Sequence, residues 1–201
     1  MTHDLLLYGL TYMAKSERLD LRLVFDSLAT RAEINHFHYD GLYLNSTGLK
    51  QSRFPIELVD RAAVTGELTP GNVAIELLQE MQWYTRGFVV SAGGKPGEST
   101  SLFPKGDIES LARVAASLVA ELQRRNIPHT ILLCPAIQAS IPKKIPLADA
   151  LAGNVEFAFP MTPEVFILPR ALDEEGPGTC GVELAGLILA RTEDDYGNIT
   201  E

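Results

Sequence analysis

"DLLLYGLTYMAKSERLDLRLVFDSLATRAEI", residues 4–34, is the stretch whose reading decides the fold. Its first part, Asp4–Tyr12, is almost wholly apolar after Asp4, and that acid stands where a secretion signal would carry basic residues. A short apolar run of that kind predicts a strand. Its second part, Ser16–Ile34, places Leu19, Leu23, Leu28 and Ala32 roughly on one side of a helix. A second β-like run, Phe37–Leu44, follows. Strand, helix, strand in that order predicts a right-handed crossover between parallel strands.

The rest of the chain extends the alternation. Gly87–Ser91, His129–Cys134 and Glu164–Leu168 are continuous apolar runs, the pattern of parallel strands covered on both faces. Thr69–Met81 opens with Thr69 as N-cap and Pro70 at the first helical position, where its missing N–H costs nothing. Asp107–Arg125 is the clearest helix: Ile108, Leu111, Ala112, Ala115, Leu118, Val119 and Leu122 form one stripe. Val182–Ala190 closes the series. Residues 137–153, punctuated by proline and lysine, read as a loop with or without a short helix. The expectation is a single α/β domain over residues 1–201, with a doubly wound, mostly parallel five-stranded sheet and helices on both faces.

Composition bounds the function. Hydrophobic residues make up 46% and charged residues 21%, enough for an ordinary core and too apolar for wholesale disorder. The net charge of −9 repels a phosphate backbone, so neither nucleic acid nor an anionic membrane is expected as a partner. No apolar run approaches the ~18 residues of a membrane span. Cys134 and Cys180 lack metal-ligand spacing and read as buried free thiols of a cytoplasmic protein.

Ligands of doubly wound sheets bind beyond the carboxyl ends of the strands, which directs attention to the loops after Tyr12, Ser91 and Leu168. The last of these carries Asp173, Glu174 and Glu175, then Gly176, Gly178 and Gly181 for a tight turn. Thr179 can cap the next helix, leaving Glu183 ionised near its positive end. The plain alternative is a solvated acidic loop with an ordinary first-turn glutamate. The segment "DEEGPGTCGVELAG", residues 173–186, resembles nucleoside 2-deoxyribosyltransferases and related Rossmann-like N-glycosidases. That resemblance implies a flavodoxin-like fold, Glu183 as a nucleophile forming a covalent glycosyl intermediate, and Asp173 as an acid near the base or sugar. It also implies a homo-oligomer.

A second candidate is "FVVSAGGKPGESTS", residues 88–101. Amides around Gly93, Gly94 and Gly97, with Lys95 and the hydroxyls of Ser91, Ser99 and Thr100, can hold a phosphate or a sugar. The spacing matches neither a P-loop nor G-x-G-x-x-G, and a tight connection needing glycine is the plainer reading. In "NHFHYDG", residues 35–41, His36 and His38 share a strand face and Asp40 could join them on a metal. No other histidine cluster exists, so strand-edge histidines are favoured, and no metal or cofactor is expected. A serine hydrolase lacks its G-x-S-x-G elbow, and Cys180 before a helix is the candidate thiolate. Trp83 reads as a packing residue.

Together these features predict an enzyme acting on a nucleoside- or nucleotide-like N-glycosidic bond. Glu183 attacks the anomeric carbon, one acid of Asp173–Glu175 protonates the leaving base, and the Ser91–Thr100 turn with Gly178 and Thr179 holds a nucleoside- or sugar-phosphate-like substrate. The alternative is a non-catalytic α/β module that binds a small ligand or a partner protein.

Overall fold

The computed structural model describes residues 1–16, 18, 20–27, 37–47, 53–64, 73–79, 85–92, 105–136, 162–170 and 181–187. Its first element reverses the sequence reading. Residues His3–Lys15 form a helix, α1, and the first strand, β1 (Leu21–Asp26), lies inside the span read as helical. In α1 the buried residues are Leu6, Gly9, Leu10 and Met13, which is the i, i+3, i+4, i+7 spacing of one helical face. Tyr8 and Tyr12 look apolar in the sequence but point outward, 69% and 48% exposed, so the run resembled a short apolar strand.

The remaining elements are β2 (Asp40–Tyr43), β3 (Arg61–Ala63), β4 (Val73–Leu78), β5 (Phe88–Ala92), helix α2 (Lys105–Arg124), β6 (His129–Ala136), β7 (Thr162–Pro169) and the single turn α3 (Gly181–Leu184). The described strands form one seven-stranded sheet in the order β2-β1-β6-β7-β5-β4-β3. Every ladder in it is antiparallel. The expectation of a doubly wound, mostly parallel, five-stranded Rossmann-like sheet is therefore overturned. So is the helix at Thr69–Met81, where β4 pairs with both β3 and β5.

The error has a physical source. Continuous apolar runs report that both faces of a strand are covered, and an antiparallel sheet can be covered too. Ile131, Leu133, Val165 and Ile167 face a core closed by α1 and by Leu111, Ala112, Ala115, Val119 and Leu122 of α2. The residues between them, Leu132, Cys134, Phe166 and Leu168, face a second core with Phe54, Ile56, Val182 and Leu184. The sheet thus has helices on one face, and on the other the 3-10 turn Pro55–Leu58 and α3. Cys134 is a buried free thiol whose pKa burial pushes up; Cys180 lies outside the described residues.

Gly9 lets α1 lie close on the sheet, since a Cβ there would stand 2.8 Å from Leu133 Cδ1 and 2.9 Å from Tyr39 Cζ. No described helix is long and apolar enough to cross a membrane.

Candidate functional site

The end of β1 and the start of β6 run side by side, with Asp26 opposite Thr130. Their ends are tied by reciprocal bonds: Ser27 N–H donates to the His129 carbonyl at 3.0 Å, and His129 N–H donates to Ser27 Oγ at 3.0 Å. The Asp26 carboxylate gathers a third element. Thr130 Oγ1 donates to Asp26 Oδ1, the Gly181 N–H donates to Oδ2 at 3.0 Å, and Arg170 Nη1 stands 3.8 Å from Oδ1. Position 181 has room for glycine alone, because a Cβ would lie 2.5 Å from Val24 Cγ1. Hence the β7 exit, α3 and β1 all converge on one partly buried acid.

On the helix-covered side of this junction is a cavity of about 400 Å³. Phe25, Phe37, Leu5, Asp26, Ser27 and His129 contribute to its walls. Phe25 and Phe37 are stacked, with centroids 5.3 Å apart and planes at 28°. Tyr39 meets Phe37 edge-on at 5.1 Å, and its hydroxyl donates to the Leu5 carbonyl at 3.2 Å, pinning the aromatic group to α1. Burial raises the Tyr39 phenol pKa, so that hydroxyl keeps its proton.

His129 is 2% exposed. Its Nδ1 lies 3.0 Å from the Ile127 carbonyl oxygen, which can only accept, so Nδ1 carries the proton. Burial pushes the imidazole pKa down, and the ring is neutral near pH 7. Nε2 is then a bare lone pair, and it has no hydrogen-bond partner among the described residues. Phe25 and Phe37 stack on each other at the cavity wall, Phe37 keeps an exposed ring face, and the bare Nε2 is enclosed by protein.

The residues singled out by sequence are placed differently. Glu183 sits half-buried on α3, against the opposite sheet face, and does not line the cavity. Its helix has only four residues, so little dipole gathers at Glu183. Ser91, the penultimate residue of β5, is level with Glu164, which is level with Cys134. Gly181 touches Thr130, four residues away on the same strand, about 13 Å at ~3.3 Å per residue. Ser91 is thus offset along the sheet from the strand level that Gly181 packs against, and no described contact joins it to Glu183. Asp173, Gly93, Gly94, Lys95, Gly97, Ser99, Thr100, Gly178 and Thr179 lie outside the described residues, as do His36 and Trp83. His38 Nε2 is 3.8 Å from Asp40 Oδ2.

Phe25, Asp26 and Ser27 were hidden inside a misread helix, and His129 passed as the first residue of a strand. The usable signal was alternation in "LRLVFD", where Arg22, Val24 and Asp26 share one face.

Over 131 residues, 65% of its length, the chain is 28% identical to GDP-L-galactose phosphorylase 2 of Arabidopsis thaliana. The matched part is 25% of that protein, so the chain spans about a quarter of the curated relative it resembles. No family model matches the chain, and no solved structure matches it.

Proposed function

We propose that the chain carries the base-holding part of a site that acts on a nucleotide sugar. The observation that carries this reading is the similarity to a protein named for phosphorolysis of GDP-L-galactose. The cavity supports it. Its volume of about 400 Å³ lies within the ~300–1,000 Å³ of small-molecule pockets, and its stacked phenylalanines suit a planar base. Stacking of a base on an aromatic side chain contributes about 1–3 kcal/mol and tolerates any base. In this reading the nucleoside is the handle by which the substrate is gripped, and the bond acted on lies beyond it, at the phosphates. The N-glycosidic role of Glu183 is not carried forward, because Glu183 does not line this cavity.

Binding, as opposed to turnover, is the direct test. GDP, a GDP-sugar, the free sugar and inorganic phosphate are titrated calorimetrically against the chain and against Phe37→Ala, whose side chain is already partly exposed. The expected result is that both nucleotides bind, that the sugar and phosphate alone do not, and that Phe37→Ala weakens the nucleotides roughly tenfold or more. Nucleotide affinity unchanged by Phe37→Ala overturns the assignment of the base to this cavity.

A further inference from the structure

We infer that the side-chain amide of Asn126 reads the edge of the base seated on Phe37: its oxygen accepts from a ring N–H while its NH2 donates to the adjacent ring carbonyl. The inference rests on the base-holding reading above and makes it selective. Stacking alone cannot tell one base from another, since every base offers a π-face. A carboxamide can, because it presents a donor and an acceptor side by side.

Three observations single out this residue. Asn126 is exposed and lines the same cavity as Phe37. Its backbone is held in place just beyond α2, with φ at 54°. The Asn126 N–H donates to the Gln123 carbonyl at 3.0 Å and the Ile127 N–H to the Leu122 carbonyl at 2.9 Å, the pair of bonds that closes a helix C-terminus around a left-handed residue. And the Asn126 carboxamide makes no hydrogen bond with any described residue. The other carboxamide of the wall, on Gln123, stands 2.6 Å and 3.3 Å from the backbone N and O of Met1 and is engaged there.

The left-handed turn by itself accepts glycine or asparagine. Glycine would close the helix with less strain and would present nothing to the cavity, so one substitution separates the two roles of position 126. Guanine, the base in the name of the similar protein, has the matching edge: N1–H donates and the neighbouring O6 accepts. Hypoxanthine keeps that pair and unsubstituted purine has neither member of it. Sites built to hydrogen-bond a ligand group discriminate against analogues that lack it.

The test titrates GDP, inosine 5′-diphosphate and purine riboside 5′-diphosphate against the wild-type chain and against Asn126→Gly. Wild type should bind the guanine and hypoxanthine nucleotides about tenfold more tightly than the purine nucleotide. Asn126→Gly should bring both down to the level of the purine nucleotide, whose own affinity stays unchanged. The urea midpoint of Asn126→Gly should not fall, because glycine keeps the turn. In parallel, the side-chain amide signal that Asn126→Gly removes from the ¹⁵N spectrum should shift in the wild type when GDP is added. Equal binding of the three nucleotides by wild type, a preference that survives in Asn126→Gly, or an amide signal indifferent to GDP overturns the inference while leaving the base-holding reading intact. Absence of any Phe37-dependent nucleotide binding removes both.

Discussion

The two faces of the sheet each bury a polar side chain, and they treat it in opposite ways. On the face covered by the Pro55–Leu58 turn, Arg22 is fully buried and closed in. Its Nε donates to Glu57 Oε1 at 2.7 Å, its Nη2 to Oε2 at 2.8 Å and its Nη1 to the Leu21 carbonyl at 3.0 Å. Glu57 also accepts the Phe54 N–H at 2.8 Å. On the helix-covered face, His129 is as deeply buried but half-satisfied, with one nitrogen bonded and the other facing no protein partner. A buried charge with every bond made pins two segments together and has nothing left to offer a ligand. A buried neutral ring with one enclosed, unpaired nitrogen carries a local desolvation cost that the closed ion pair avoids. The contrast separates a fully bonded buried group from a half-bonded one without reference to residue type.

The first way to break this comparison is to open the closed site. Glu57→Ala strands the Arg22 guanidinium in the core, and breaking a buried pair from one side costs about 3–5 kcal/mol. Urea unfolding of Glu57→Ala should show a loss of that size, while Arg22→Met with Glu57→Leu should recover most of it, since apolar replacement of a buried pair is often neutral. A Glu57→Ala loss below about 1 kcal/mol would mean that Arg22 reaches water in the folded chain and is not closed in at all.

That ion pair also explains how much of the fold could be read from the sequence. The α2 stripe was legible because its apolar residues recur at helical spacing and its other face is charged, as in Arg113 and Glu109. The cores of β5, β6 and β7 were legible as apolar runs. The strand β1 was not, because a charged residue at its second position looks solvated until its partner is known, and that partner is 35 residues away. The same applies to β4, where Glu76 approaches Arg61 of the neighbouring strand at 3.6 Å. Strand direction was never local information, because it depends on which run pairs with which. The site was the least legible part. Its cavity joins the start of α1, the end of β1, the segment before β2 and the approach to β6, and no short motif spans them.

A smaller effect sharpens the other half of the comparison. The folded-state pKa of His129 lies below its unfolded value of about 6.5, chiefly through burial. Above that unfolded pKa both states hold the ring neutral, and it makes no contribution that varies with pH. As pH falls below it, the unfolded chain binds a proton that the folded chain refuses, so stability declines by up to about 1.4 kcal/mol per pH unit until the folded pKa is passed. Subtracting the stability–pH curve of His129→Phe from that of wild type should isolate this fall on the acid side of pH 6.5. The absence of such a fall would mean that the folded ring takes its proton as readily as the unfolded one.

The smallest effect is expected at the surface, where charge is most conspicuous. Glu121 bonds both Arg124 and Arg125, at 2.7 and 2.6 Å, and these partners hold its carboxyl down at about 2. By distance alone this cluster rivals Arg22–Glu57. Yet all three side chains stand in water, where solvent and salt screen the attraction and ordering two long arginines costs entropy. Glu121→Gln should therefore leave the urea midpoint where it was and leave nucleotide binding untouched, in 0.1 M salt and more clearly at 1 M. A midpoint shift as large as that of Glu57→Ala would show that bond length, not enclosure, sets the worth of a charged pair in this chain, and the distinction between the two sheet faces would lose its basis.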